Sequence, residues 1–182
     1  MTNQFEEKTI SSDIIYQGKV VTLRVDQVAL ADGSTASREV VVHAGAAAVL
    51  AVNKNREVYF VRQYRKAVEK ELLEIPAGKL DPGETALACA ERELAEETGL
   101  VAKEMRLLTT VYTSPGFTSE KISIFLATGL KTAGAAHPDE GELLTVQKIP
   151  FNHALQMVQS GEITDAKTCL ALLLAAGLGL GQ

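Results

Sequence analysis

GKLDPGETALACAERELAEETGL, residues 78–100, is the stretch of sequence from which the fold can be worked out. It is typical of a loop followed by a helix, which Thr85 or Glu84 can begin and Gly99 can end in a left-handed cap. At 100° per residue, three apolar side chains fall on one side of this helix and predict a stripe packed against a core. They are Leu87, Ala90 and Leu94.

The same helix carries three carboxylates on one flank. Glu93, Glu96 and Glu97 stand at positions i, i+3 and i+4, a spacing at which like charges destabilise a helix by roughly 0.2–0.5 kcal/mol per pair. A cation should offset that repulsion, and ligands that are all oxygen favour a hard ion, Mg²⁺ with Mn²⁺ as a possibility. Taken alone, such a run is more often a solvated acidic face.

The spacing of the whole stretch is more specific than its three glutamates. Its defined positions are Gly78, Glu84, Arg92-Glu93-Leu94, Glu96-Glu97 and Gly99-Leu100. The pattern resembles the Nudix hydrolase box at each of them. The resemblance implies hydrolysis of a nucleoside diphosphate linked to another group. It also implies that Glu93, Glu96 and Glu97, with the backbone carbonyl of Ala77, hold the catalytic metal.

Composition limits the number of domains, the binding partners and the cellular compartment that we expect for this chain. The chain has 182 residues, 46% of them hydrophobic and 23% charged, with a net charge of −5. That balance favours one main domain and argues against non-specific binding to nucleic acid. Cys89 and Cys169 both lie in apolar helical patterns, which indicates core residues in a reducing compartment. With no signal region and no apolar run long enough for a bilayer, we expect a cytoplasmic protein without a membrane partner.

The remaining sequence predicts an α/β fold. Alternating residues over 14–30, a turn at Asp32-Gly33 and a strand at 37–43 predict a small antiparallel meander in residues 1–43, with 1–12 frayed or loosely paired. We assign 44–182 to the hydrolase domain, a Nudix α/β/α sandwich with a mixed central sheet. The strands expected there are 44–52, 58–64, 71–75, 105–112, 122–127 and 143–149. Helices are expected at 151–159 and from 166, after an Asp165 cap, to about 176.

Several stretches outside the box resemble the ADP-ribose pyrophosphatase subfamily. They are SREVVVHAGAAAVLAV, VRQYR, EIPAGKL and TSPGFTSEKI, the last placing Pro115 fifteen residues beyond Leu100. Known members are homodimers whose N-terminal sheets help to build the partner's adenosine pocket. The resemblance implies that Arg65 contacts the pyrophosphate and that Arg38 and Glu39 hold the adenosine. It places Pro115, Gly116 and Phe117 in the substrate loop, with Glu120 near the terminal ribose.

The general base comes from a loop outside the box in this family. Residues 139–142 resemble the acidic loop that closes over substrate, so Glu140 is the first candidate and Glu142 an accessory metal ligand. Glu120 is the rival base. Within the box, Arg92 is expected to hold a glutamate in place. Glu84 either braces the loop or is an ordinary acid of the first helical turn.

These observations favour Mg²⁺-dependent hydrolysis of ADP-ribose to AMP and ribose 5-phosphate. A related enzyme acting on another nucleoside diphosphate sugar, such as a GDP- or ADP-hexose, is the nearest alternative. A Nudix-fold nucleotide sensor without catalysis is a third, although three intact box glutamates count against it.

Overall fold

The structure, a computed structural model, describes residues 5–137, 141 and 143–180 and divides the chain into two units. The first unit comprises Met1–Gly45 and Tyr112–Lys121. The second comprises Ala46–Val111 and Ile122–Gln182. The loop at 112–121, which follows a strand of the second unit, therefore belongs with the N-terminal residues.

The first unit is built on a three-stranded antiparallel sheet, as the alternating pattern predicted. Its strands are β1 (Lys8–Gln17), β2 (Thr22–Ala29) and β3 (Thr35–Val42), in that spatial order. In the turn between β2 and β3, Gly33 adopts a φ of 86°, and the Asp32 carboxylate accepts the Ser34 N–H at 2.9 Å. Glycine suits that turn because a left-handed φ strains other residues.

The first strand begins earlier than its sequence indicates. Residues 8–12 were predicted to be frayed or loosely paired, and the structure shows them paired: Lys8 lies opposite Ala29, and the Ser12 hydroxyl donates to Asp26 at 2.5 Å. Every residue of β1 is exposed, so this strand has no buried face to produce an alternating apolar pattern. Its pairing is carried by the backbone ladder, which the side chains do not reveal.

The loop at 112–121 is held to β3 through its backbone. Val41 donates its N–H to the Phe117 carbonyl at 2.8 Å and accepts the Ser119 N–H at 3.0 Å. The His43 N–H adds a bond of 3.0 Å to the Ser119 hydroxyl. These bonds give the loop one defined path beside the end of β3.

The described residues of the second unit form nine strands, three α-helices and one short 3-10 helix at Lys66–Val68. The strands are β4 (Ala46–Val52), β5 (Glu57–Arg65), β6 (Lys70–Glu74), β7 (Ala77–Lys79), β8 (Leu100–Val101), β9 (Glu104–Tyr112), β10 (Lys121–Thr128), β11 (Lys131–Thr132) and β12 (Leu144–Pro150). The helices are α1 (Ala86–Thr98), α2 (Phe151–Ser160) and α3 (Ala166–Gly177). The main sheet runs β12-β5-β4-β10-β9, with β6 on β5 and β7 on β4.

Strand β4 separates two apolar layers. All seven of its residues are buried, and Ala48 and Leu50 pack with residues of α2 and α3 whereas Ala47 and Val49 pack with α1. Since β4 runs parallel to β10 and antiparallel to β5 and β7, the sheet is mixed. The predicted α/β/α sandwich is confirmed.

Three details of the second unit differ from the prediction. Leu87 is 43% exposed, because the buried positions of α1 begin only at Cys89. Strand β7 was not predicted, although the loop before the helix pairs there with β4. Lys131 and Thr132, which lie in none of the predicted strands, form a two-stranded ladder with β8. No helix among the described residues is long and apolar enough to cross a membrane.

Candidate active site

Local sequence sets both ends of α1. Thr85 is the N-cap, and its hydroxyl accepts the Ala88 N–H at 3.2 Å, so Thr85 and not Glu84 begins the helix. Gly99 ends it with a φ of 69° and donates its N–H to Ala95. A Cβ at Gly99 would lie 2.5 Å from the Gly134 carbonyl oxygen. Only glycine fits this end of the helix without displacement.

The loop before α1 approaches the helix closely at Gly78. A Cβ built on Gly78 would lie 1.7 Å from Oε1 of Glu93. The neighbouring Ala77 N–H donates to Oε2 of Glu97 at 3.0 Å. The backbone of β7 therefore lies directly against two carboxylates of the helix, and the missing side chain at Gly78 makes this approach possible.

Arg92 joins the carboxylates of the loop and the helix. It donates to both oxygens of Glu84, at 2.9 and 3.0 Å, to Glu93 at 2.7 Å and to Glu96 at 2.9 Å. A further bond of 3.1 Å reaches the Lys79 carbonyl. These hydrogen bonds raise the pKa of Arg92 above its ordinary value. The arginine thus supplies the positive charge that the helix requires in this conformation.

Glu84 braces the loop. Besides its two bonds from Arg92 it accepts the Asp81 N–H at 3.0 Å, and these hydrogen bonds lower the pKa of Glu84 from 4.5 to about 2. The geometry therefore agrees with the bracing alternative. Through its bonds from Arg92, Glu84 also links the loop to the middle of α1.

We expect the contribution of Glu84 to stability to depend on pH. Because its folded-state pKa is depressed, this contribution is fully present above about pH 4.5 and is lost as the pH falls toward 2. Chemical denaturation of the wild-type protein and Glu84→Gln should give unfolding free energies that differ most above pH 4.5 and converge below it. Glu91→Gln, exposed on the same helix, is the matched control. A Glu84→Gln difference that stays constant across this range would contradict the brace.

Arg65 lies at the end of β5 and is paired with Glu74 of β6. Its Nε and Nη2 atoms each donate to one oxygen of Glu74 at 2.7 Å. Its hydrogen bonds to Glu74, together with the charges of Glu74, Asp165 and Glu97, raise the pKa of Arg65. Arg65 is therefore held at the end of β5 by its two bonds to Glu74.

The donor set on α1 fits a hard divalent cation. Glu93, Glu96 and Glu97 offer only carboxylate oxygens, and Gly78 leaves room for the backbone beside Glu93. Within the described ranges, no three His, Cys, Asp or Glu side chains are gathered as a metal-binding group. The bonds from Arg92 to Glu93 and Glu96 explain this arrangement, since they turn both carboxylates toward the guanidinium.

The substrate residues expected in the first unit are brought together around one cavity of about 630 Å³. Arg38 pairs with Glu7, at 2.6 and 2.9 Å. Glu120 is not part of the lining; it accepts from the Thr113 hydroxyl at 2.6 Å and lies 3.7 Å from Nδ1 of His43. The predicted substrate residues that line this cavity are Arg38, Glu39, Pro115, Gly116 and Phe117.

Two predicted site residues lie outside the described ranges, and one buried acidic residue of the second unit was not predicted. Glu140 and Glu142 lie outside the described residues. The sequence reasoning missed Glu74, which is 1% exposed and bound by Arg65 and Lys167. A lone acid between Leu73 and Ile75 is the signal that could have identified it, because a charge in an apolar run is costly unless it is paired.

The fold and the carboxylate-bearing helix define a metal-dependent hydrolase of phosphate compounds. A family model described as the NUDIX domain matches residues 42–169, and one described as the nucleoside diphosphate sugar hydrolase N-terminal domain matches residues 7–41. The chain belongs to the Nudix hydrolase family.

Individual relatives and a solved structure agree with this membership. An ADP-ribose pyrophosphatase of Bacillus subtilis (strain 168) is 45% identical over 168 residues, 92% of this chain and 91% of that protein. A methanol dehydrogenase activator of Bacillus methanolicus is 44% identical over 173 residues, 94% of each chain. The crystal structure of an ADP compounds hydrolase has a TM-score of 0.85 at 23% identity, covering 100% of this chain and 98% of that one.

Proposed function

We propose that this enzyme hydrolyses the pyrophosphate bond of ADP-ribose, giving AMP and ribose 5-phosphate, with Mg²⁺ as its metal. The observation that carries the proposal is the close approach of the β7 backbone, at Ala77 and Gly78, to the carboxylates of Glu93 and Glu97. The similarity to an ADP-ribose pyrophosphatase over most of both chains supports the choice of substrate.

The box residues suit pyrophosphate cleavage. Glu93, Glu96, Glu97 and the Ala77 carbonyl would hold the metal, and a bound divalent ion neutralises phosphate charge and activates water. Arg92 holds Glu93 and Glu96 through direct bonds, so it sets where their oxygens lie. Arg65, whose side chain is 41% exposed, would bind a phosphate oxygen.

The first unit suits the nucleoside end of the substrate. Phe117 is 58% exposed beside its cavity, and an exposed aromatic ring can stack on an adenine base. Arg38 and Glu39 add charged groups to the same cavity. We assign residues 1–43 to dimerisation and substrate binding, and 44–182 to the hydrolase domain.

A homodimer is part of the proposal. Strand β1 is exposed along its whole length and carries Ile10, Ile14 and Ile15, each 60–65% exposed. An exposed apolar strand at a sheet edge requires cover, and a second copy of the same sheet would provide it. Both cysteines are free thiols, which is compatible with a cytoplasmic location.

Glu140 is our choice of general base, with Glu142 as an accessory metal ligand. We expect Glu140→Gln to lower kcat for ADP-ribose about a hundredfold, because a positioned base contributes at least that much, while KM changes little. Steady-state kinetics of Glu140→Gln and Glu120→Gln compare the two candidates directly. A larger loss of kcat in Glu120→Gln would assign the base to the first unit.

A substrate panel with Mg²⁺, resolved by chromatography of the products, tests the proposed function. The panel contains ADP-ribose, ADP-glucose, GDP-mannose, NADH, a diadenosine polyphosphate and 8-oxo-dGTP. Preferred turnover of ADP-ribose to AMP is the expected result. Preference for a hexose compound would keep the chemistry of the box and overturn the substrate. Tight binding without turnover would favour a sensor.

A further inference from the structure

A charged network connects Arg65 to the first turn of α3. Glu74 accepts hydrogen bonds from Arg65 through both carboxylate oxygens, and the Lys167 ammonium contacts one of the same oxygens, Oε2. Lys167 also contacts Asp165 at 3.0 Å, and Asp165 is the N-cap of α3. Helix α3 is far from the box in sequence and carries none of the residues assigned to the reaction above.

Glu74 depends on both cations. Its carboxylate is 1% exposed, and an ionised carboxylate in such a place is strongly destabilised unless it is paired and hydrogen-bonded. Burial alone would raise the pKa of Glu74, but its bonds with Arg65 and Lys167 reverse this, so the pKa lies below its ordinary value. Each cation therefore helps to keep the carboxylate charged for the other.

The neighbouring backbone is fixed by the same helical turn. The Ile75 N–H donates to the Thr168 hydroxyl at 2.9 Å, and that hydroxyl donates to Asp165 at 2.5 Å. Further along, the Pro76 carbonyl accepts the Val49 N–H at 2.8 Å, and the Ala77 N–H reaches Glu97. Residues 74–77 thus form a short strap held by α3, β4 and α1.

One edge of the Arg65 guanidinium is hydrogen-bonded to Glu74, the first residue of this strap. Nε–H and one Nη2–H point at Glu74, so three of the five N–H donors of an arginine are left. The side chain is 41% exposed. In the described part of the chain, no other side-chain hydrogen bond holds Arg65. The direction of its remaining donors is therefore set by Glu74.

We propose that Lys167 is a positioning residue for substrate binding: it holds Glu74, which fixes the guanidinium of Arg65 with its free edge presented to a phosphate oxygen. The inference rests on the proposed function, because it takes Arg65 as a pyrophosphate ligand. Lys167 itself contacts no substrate in this account. Its charge acts through one carboxylate on one guanidinium.

A double-mutant cycle tests the inference. Lys167→Met is expected to raise KM for ADP-ribose about tenfold, the factor of one weakened charge-assisted hydrogen bond, with kcat changed less than about twofold. Lys167→Arg should restore most of the affinity. In the Arg65→Gln background, Lys167→Met should add less than about twofold, because the group through which it acts is already gone. Lys148→Met, an exposed lysine on β12, is the control.

Two outcomes of the cycle would overturn the inference. One is an unchanged KM in Lys167→Met. The other is an equal rise of KM with and without Arg65, which would mean that Lys167 acts by another route. Should Lys167→Met fail to fold, as judged by circular dichroism, Lys167→Gln supplies the same comparison with a side chain that still donates a hydrogen bond.

A second readout separates this inference from the proposed function. The Arg65 Nε–H signal in a ¹H–¹⁵N spectrum, assigned by its loss in Arg65→Gln, should exchange slowly with water in the wild-type protein. It should exchange faster in Lys167→Met and recover in Lys167→Arg. If the wild-type protein does not hydrolyse ADP-ribose, the proposed function fails, and this signal still decides the positioning. An Nε–H signal indifferent to Lys167 would overturn it.

Discussion

Glu97→Gln is expected to lower kcat for ADP-ribose about a thousandfold, because several kcal/mol of metal stabilisation are lost with one ligand charge. The fold should persist. Glu97 is buried, and a glutamine in its place keeps an oxygen that can accept the Ala77 N–H. Steady-state kinetics at saturating Mg²⁺, with thermal denaturation in parallel, measures both effects.

The control for this prediction is on the same helix. Glu91→Gln removes an exposed carboxylate of α1, and its kcat should match the wild-type value. Near-normal activity of Glu97→Gln would refute the assignment of the box carboxylates to the metal. A collapse of its melting temperature would instead show that Glu97 is needed chiefly for its bond to the β7 backbone.

Arg92→Met is expected to have the largest effect on stability. It leaves Glu84, Glu93 and Glu96 without the cation that now bonds all three. Removing one member of a buried ion-pair network costs about 3–5 kcal/mol. Because Arg92 is 27% exposed, solvent screens part of this effect, and we expect the free energy of unfolding to fall by roughly 2 kcal/mol. Activity should fall roughly 10- to 100-fold, as it does when a group that orients a metal ligand is removed.

Chemical denaturation in EDTA and in Mg²⁺ measures this prediction. Mg²⁺ should stabilise Arg92→Met less than the wild-type protein, because carboxylates that are no longer oriented by the arginine bind the ion more weakly. Arg92→Lys, which keeps the charge but not the planar group with several donors, should be intermediate. Equal unfolding free energies of Arg92→Met and the wild-type protein in EDTA would contradict the role of Arg92 in the charge balance of α1.

Local chemistry explains which parts of the fold were predictable. Thr85 and Gly99 set the ends of α1 through bonds to their own helix, and Asp165 does the same for the start of α3. The apolar run of β4 is fully buried as its composition indicated. Such features are readable because partner and signal lie within a few residues of each other.

The errors arose where a partner is distant in sequence. Leu87 has the right helical spacing, but which turn of α1 reaches the sheet is decided by the packing of β4. The pairing of β7 with β4 joins residues about 30 positions apart. Glu74, Arg65 and Lys167 meet from three separate elements. The box itself was readable, since Glu93, Glu96, Glu97 and Arg92 lie on one helix, whereas Glu140, our candidate for the general base, lies outside the described residues.

The most direct test of the metal centre is a titration of Mn²⁺, followed by electron paramagnetic resonance, into the wild-type protein, Glu97→Gln and Glu91→Gln. Mn²⁺ stands in for Mg²⁺ because it takes the same oxygen ligands. We expect Mn²⁺ to bind the wild-type protein and Glu91→Gln, with affinity at least about tenfold weaker in Glu97→Gln. Equal binding by all three proteins would contradict a metal centre on α1.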